Sequence, residues 1–251
     1  MNPPGSVPPP IPNTPRNALQ PPGENPGDEQ PIPNLAAAFE AVLRQPRRVM
    51  FQLRQPGSAH VITALLLVAL GGAYIYGFVA GTFSGGEQLL AAPLKIAGGL
   101  LLSALICLPS LYILACLGGS QARLVEVCGL VAGLLALTGV MLLGFAPVAW
   151  VFSQSTESVA AMGALHLLFW LVATAFGLRF LGTAFSHLNA RAESGALKVW
   201  VVIFVLVALQ MTTALRPLIG TAPTLLPTEK KFFLTHWGDS FKSSDNQANR
   251  R

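Results

Sequence analysis

The fold is decided by residues 61–83, which read VITALLLVALGGAYIYGFVAGTF and contain no charged side chain. A helix rises about 1.5 Å per residue, so about 20 apolar residues cross a hydrocarbon core of about 30 Å. This stretch meets that length, and it does not alternate apolar and polar residues as a barrel strand would. It therefore predicts a membrane-crossing α-helix.

Four further apolar blocks follow at short intervals along the chain. They occupy residues 96–117, 125–152, 161–185 and 199–215. The last block is the shortest, and it reaches the required length if Lys198 and Arg216 extend to opposite interfaces. Short connections favour antiparallel packing of neighbouring helices. The sequence thus predicts an all-α membrane protein, with a bundle of about five transmembrane helices in a domain of residues 57–220.

The composition indicates lipid rather than water around these helices. Of the 251 residues, 52% are hydrophobic and 11% are charged, whereas soluble domains have roughly 25% charged residues. Too few charges remain to build a soluble surface. The net charge of +5 comes from basic residues beside apolar blocks, so we expect no nucleic-acid partner. The expected partners are the lipid bilayer and either other membrane proteins or further copies of this chain.

Two segments precede the first span. Residues 1–33 hold 12 of the chain's 20 prolines and few large apolar side chains, so we expect them to be disordered. Residues 34–56 begin with Asn34, a helix-capping residue, and Pro46 breaks or restarts the helix. Their mixture of arginine and apolar residues predicts an amphipathic interfacial helix on an anionic leaflet. The alternative is a short soluble helix packed on the membrane domain.

The distribution of cations predicts the orientation. Those before the first span are Arg44, Arg47, Arg48 and Arg54. They place the N-terminus in the cytoplasm, and five spans then put the loops around Arg123 and Arg191 on the same side. The polar C-terminal tail, residues 221–251, falls outside. Because the chain is rich in Ala, Leu, Gly and Arg, we expect the cytoplasmic (inner) membrane of a bacterium.

Polar residues within or near the spans are candidate contacts for lipid or partners. Arg179 lies about 9 Å from the end of its block, within snorkelling reach, and the alternative is an ion- or substrate-binding cation. Gln210 belongs to the most polar patch in any span, where interhelical hydrogen bonding is the simpler interpretation. Lys95 and Arg216 are predicted at the outer face, where two cations could hold a lipid headgroup. The predicted contacts are Arg47, Arg48, Arg54, Lys95, Arg179, Gln210 and Arg216.

Small residues predict where helices approach closely. Ala69, Ala73, Gly77 and Gly81 repeat every four positions in the first span, and Gly129 and Gly133 do so in the third. Such a pattern lets helix backbones come close together. The contact is either packing within the chain or a dimer face.

No motif for enzymatic chemistry is found in the sequence. Cys107, Cys116 and Cys128 lie in or beside apolar runs without metal-ligand spacing. The histidines are isolated, and Ser110 has no identifiable base. We therefore predict no catalytic residue, metal site or cofactor. A structure that brought Ser110 beside His166 would revive the hypothesis of an intramembrane enzyme.

Two segments resemble bacterial members, of unknown function, of the Yip-type membrane protein family. One is residues 106–112, ICLPSLY, followed by Gly118 and Gly119, and the other is residues 210–220, QMTTALRPLIG. The cytoplasmic tail, amphipathic helix and five spans resemble that family too, over roughly residues 35–235. Eukaryotic relatives bind prenylated small GTPases and shape transport membranes, but no binding motif for that activity is identified here.

Two functions are compatible with these features. The first is a non-enzymatic membrane scaffold or assembly protein that organises lipids or partner proteins. The second is a small transporter or channel subunit, in which Arg179, Gln210 and Thr212 would line a water-filled path. The two differ in whether the bundle interior is polar and hydrated.

Overall fold

The computed structural model describes residues 26–120, 122–156, 158–188 and 194–215. Those residues contain seven helices and no strand. The helices are α1 (Leu35–Arg44), α2 (Pro46–Arg54), α3 (Ala59–Ser84), α4 (Gln88–Leu117), α5 (Leu124–Ser155), α6 (Val159–Leu188) and α7 (Ser194–Ala214). The predictions for residues 1–25, Arg191, Arg216 and residues 221–251 lie outside the described residues.

Five helices, α3 to α7, are long and apolar enough to cross a membrane. The predicted all-α bundle of five spans is therefore confirmed. The largest difference in bounds concerns α4, which begins at Gln88 rather than at residue 96. Gly85 and Gly86 have φ angles of 65° and 54°, which suit glycine and allow the chain to reverse at once after α3. Residues 88–95, which precede the predicted block, thus belong to the helix.

The spans form a row in the order α6, α5, α3, α4, α7, in which each helix contacts its neighbours. α5 also contacts α4, and it is the most buried of the five, whereas α7 is the least buried. The most extensive contact in the row is between α3 and α5. The core of the bundle therefore lies around α5.

Glycine makes the α3–α5 contact close. A Cβ atom on Gly72 would lie 2.5 Å from the carbonyl oxygen of Gly139, and a Cβ atom on Gly139 would lie 2.5 Å from that of Ala69. The two backbones therefore touch without a side chain between them. Such contacts hold membrane helices together by van der Waals packing, since lipid is as apolar as the helix surfaces.

The predicted interfacial segment, residues 34–56, is a pair of helices. The Asn34 side chain caps α1, because its Oδ1 accepts a hydrogen bond of 2.8 Å from the backbone N–H of Ala37. α2 begins at Pro46, where the missing N–H costs no helical hydrogen bond. Both helices pack on the membrane domain, α1 against α3 and α5, and α2 mainly against α5. One face of each helix is therefore packed on the bundle, as in the alternative of a short helix packed on the membrane domain.

Candidate functional site

The arginines of α2 contact the chain's own N-terminal segment. Nε of Arg47 lies 3.6 Å from the Oδ2 atom of Asp28, and both side chains are largely buried. Arg48 donates from Nε to the carbonyl of Gln30 at 2.9 Å, and from Nη2 to the carbonyl of Pro31 at 2.6 Å. Two of the predicted lipid contacts are therefore occupied by protein.

We call residues 28–32 the strap. Gln52 on α2 donates from Nε2 to the carbonyls of Glu29 and Gln30, at 3.1 Å in each case. Ile32 is 1% exposed and belongs to the hydrophobic core. The strap lies within the segment predicted to be disordered, and in the structure it packs on the bundle, because α2 supplies donors for its carbonyls and the bundle buries its isoleucine.

Arg48 is a buried cation held by neutral oxygens. Besides the two strap carbonyls, it donates from Nη1 to Oε1 of Gln45 at 2.9 Å, and the residue is 8% exposed. Its side chain forms no ion pair with a carboxylate in the part of the chain that the structure describes. Burying a charge without an opposite charge is costly, because partial charges replace its lost hydration only in part.

Arg54, the third predicted contact on α2, is exposed. Its carbonyl accepts a hydrogen bond of 3.4 Å from Nη2 of Arg123, whose Nε donates to Oε1 of Glu126 at 2.9 Å. These bonds join the end of α2 to the start of α5. They place both arginines at one end of the bundle.

α1 is apolar on two faces. Its buried face contains Ala38, Ala41 and Val42, each at most 2% exposed. A second row, which we call the apolar stripe, consists of Leu35 (49% exposed), Phe39 (37%) and Leu43 (44%). These residues are four positions apart and therefore share one side of the helix. The bundle leaves this side uncovered.

The remaining candidate contacts lie on different helices and do not form one common site. Lys95 is 6% exposed and lies inside α4, because that helix begins at Gln88, before the predicted block. Arg179 is exposed on α6, and among the described residues its side chain makes no hydrogen bond or ion pair. Gln210 and Thr212 lie on α7, at the other end of the row. Arg179 therefore does not line a common path with them.

The small residues of α3 lie at contacts within the chain. Ala73 is fully buried. A Cβ atom on Gly77 would lie 2.6 Å from Cα of Pro93, and one on Gly81 would lie 2.8 Å from the carbonyl oxygen of Gln88. Of the two alternatives for this pattern, packing against α4 and α5 accounts for it.

The two glycines of α5 face side chains rather than a helix backbone. A Cβ atom on Gly129 would lie 2.5 Å from Cδ2 of Leu53, and one on Gly133 would lie 2.5 Å from Cε1 of Phe180. Gly129 thus makes room for α2, and Gly133 makes room for α6. The sequence indicated a close contact at both positions but not which element would fill it.

Sequence reasoning missed a polar pair inside the bundle. The hydroxyl of Tyr76 and Nδ1 of His166 form a hydrogen bond of 2.5 Å, and the two rings meet edge to face. Nε2 of His166 is buried without a partner among the described residues. Counting along α3 and α6 puts both residues about 11 Å from the same end of the bundle, which is the signal that could have paired them.

The chemistry required for an enzyme is not assembled by this pair. Ser110 donates to the carbonyl of Cys107 at 2.8 Å, whereas Nδ1 of His166 is bonded to the hydroxyl of Tyr76. No hydrogen bond between Ser110 and His166 is formed among the described residues. Over the described ranges, no three His, Cys, Asp or Glu residues are grouped so that they could hold a metal ion.

Comparison with known proteins identifies no relative of this chain. No protein-family model matches the chain, and neither a curated protein nor a solved structure is significantly similar to it. The five apolar helices define the class of the molecule: it is a multi-pass integral membrane protein.

Proposed function

We propose that this protein is a non-enzymatic scaffold or assembly protein of the bacterial inner membrane, which organises lipids or partner proteins through α1 and α2. The observation that carries the proposal is the apolar stripe of α1, on a helix whose opposite face is already buried in the bundle. Membership of the Yip-type family, a cytoplasmic N-terminus and an external C-terminus are parts of the same proposal.

The physical basis is that α1 lies where the acyl chains meet the headgroups of the cytoplasmic leaflet. The apolar stripe enters the acyl region, and the exposed cations Arg44, Arg54 and Arg123 lie at the level of the phosphates. The bundle then holds α1 and α2 at a fixed height, because their other faces pack on α3 and α5.

The bundle interior favours a scaffold over a transporter. Most polar side chains of the spans bond within their own helix: Ser103 donates to the carbonyl of Gly99, and Thr138 to that of Leu134. The core around α5 is otherwise formed by apolar and small side chains. A hydrated path requires convergent polar groups from several helices, and the candidate polar residues lie on helices at opposite ends of the row.

The first experiment tests what covers the apolar stripe. A photoreactive benzoylphenylalanine replaces Phe39 in the full chain, and native membranes are irradiated. We expect cross-links to lipid or to one defined protein, identified by mass spectrometry. The control carries the same amino acid at Phe204, which is fully buried, and should give only cross-links within the chain. A Phe39 variant without external cross-links would contradict the proposal.

The second experiment separates the two functions directly. The purified protein is reconstituted in liposomes, and the flux of labelled ions, sugars and amino acids is measured. We expect flux no higher than in protein-free liposomes. Robust flux of any of these solutes would overturn the proposed scaffold and restore the transporter.

A further inference from the structure

We propose that Arg47 and Arg48 form a phosphate site for an anionic lipid headgroup, and that the strap fills this site until such a lipid displaces it. The inference rests on the proposed function, since it requires α2 to lie at an anionic leaflet. It adds that the site is closed by the chain itself.

The geometry of Arg48 carries the first step. Its Nε and Nη2 atoms lie on one edge of the guanidinium group and hold two successive carbonyl oxygens, those of Gln30 and Pro31. The same edge binds two oxygens of one phosphate in the bidentate arrangement that arginine favours. The two carbonyl oxygens of the strap thus occupy the positions that two oxygens of a bound phosphate would take.

The charges carry the second step. Asp28 supplies a carboxylate to Arg47, but Arg48 receives only neutral oxygens from the strap and from Gln45. A phosphodiester would bring a full negative charge to a buried cation, and charge-assisted hydrogen bonds are about twice as strong as neutral ones. The strap is therefore an incomplete substitute for an anion.

The construction of the strap carries the third step. It contains no helix or strand, and Ile32 at its end is its one buried apolar side chain, which stays in the core. The polar contacts of residues 28–31 with α2 are side-chain bonds to carbonyls and one ion pair, so this part can open while Ile32 remains in place. Segments with few buried contacts open at low free-energy cost, independently of the rest of the fold. Release of the strap exposes Arg47 and Arg48 beside Arg54, which is already exposed.

The experiment measures the strap directly in the full chain. Cys107, Cys116 and Cys128 are replaced by alanine, and spin labels are attached through Gly27→Cys and His60→Cys. A Cβ atom on Gly27 meets nothing within 4 Å, and His60 is exposed, so neither label disturbs packing. Distance distributions are recorded in nanodiscs of phosphatidylcholine alone or mixed with phosphatidylglycerol.

We expect one narrow distance in phosphatidylcholine, and a fall of at least about threefold in the docked fraction when phosphatidylglycerol is present. Arg48→Gln should abolish this response to lipid. Asp28→Asn should release the strap in phosphatidylcholine already. The matched control is Glu29→Gln, which removes the same charge from the strap at a residue that contributes only its carbonyl, and it should behave as the parent chain does.

An unchanged distance in the mixed nanodiscs would overturn the inference, as would a response that survives Arg48→Gln. In detergent, inorganic phosphate is added at matched ionic strength. Release by free phosphate without a response to phosphatidylglycerol would overturn the assignment to lipid. Lipid capture at Phe39 with an undisturbed strap would refute this inference alone, whereas the absence of external capture at Phe39 counts against the proposed function.

Discussion

The α3–α5 and α4–α7 contacts hold helices together in opposite ways. Between α3 and α5, glycine brings two backbones together, and 72% of the apolar window of α5 is buried. On α7 only 17% is buried, and the contact with α4 depends on Trp200, which is fully buried and stacks on Phe204. In lipid, the first contact depends on the close fit of two helix backbones and the second on two large buried side chains, Trp200 and Phe204.

At the α3–α5 contact, adding a side chain should destabilise the bundle. Gly72→Leu should lower the free energy of unfolding by about 3 kcal/mol, because its Cβ atom meets the backbone of α5 and the helices must separate. Gly71→Leu is the control on the same helix, since a Cβ atom there meets nothing within 4 Å. Unfolding in detergent with increasing denaturant measures both. Equal effects at the two positions would refute the close backbone contact.

A removed side chain should loosen the periphery instead. Trp200→Ala should cost about 3 kcal/mol, since it leaves a cavity and removes the 2.9 Å bond from Nε1 to the carbonyl of Cys107. The loss should be local, so that proteases cut within α7 while the fragment up to α6 stays folded. Trp150→Ala, at a residue that is 53% exposed, is the control. Cooperative loss of the whole bundle in Trp200→Ala would contradict the contrast between the two contacts.

The spans can be predicted from the sequence because they depend only on the length and apolar composition of each stretch. Length and the lack of charge alone decide that residues 61–83 cross the membrane, and the structure extends that block only to Ala59–Ser84. The start of α4 could not be predicted in this way. Gln88, Pro93 and Lys95 interrupt the apolar run before residue 96, and it is the turn at Gly85 and Gly86 that shows where the helix begins.

The partners of the candidate residues could not be predicted, because they depend on tertiary contacts. Arg47 and Arg48 have the composition of a lipid-binding face, and nothing near them in sequence indicates that Asp28 reaches Arg47 or that the strap carbonyls reach Arg48. The spacing of Gly77 and Gly81 indicated close packing but missed Gly72 and Gly139, which form the closest crossing with α5. Periodicity identifies the face of a helix, whereas the partner of that face is set by the whole fold.

A smaller loss of stability is expected where a hydrogen bond joins α3 to α6, two helices that are not neighbours in the row. Tyr76→Phe should cost about 1 kcal/mol, because it removes the hydrogen bond to His166 that ties α3 to α6 and leaves both imidazole nitrogens unsatisfied. Tyr74→Phe is the matched control, since Tyr74 is 41% exposed on the same helix. The same denaturant titration measures both variants, and a Tyr74 effect as large as the Tyr76 effect would show that the pair contributes nothing.

The smallest expected effect lies where α2 meets α5. Glu126 accepts hydrogen bonds from the backbone N–H and the Nε atom of Arg123, which itself reaches the carbonyl of Arg54. Glu126→Gln keeps an acceptor for the helix cap but removes the charge, so we expect a loss of about 0.5 kcal/mol that disappears at high salt. The control, Glu40→Gln, removes an exposed pair of 3.8 Å with Arg44 and should have no measurable effect. If Glu126→Gln were instead as damaging as Gly72→Leu, the junction of α2 with α5 would stabilise the bundle as strongly as the glycine crossing. The N-terminal helices would then be an integral part of the core rather than elements packed upon it.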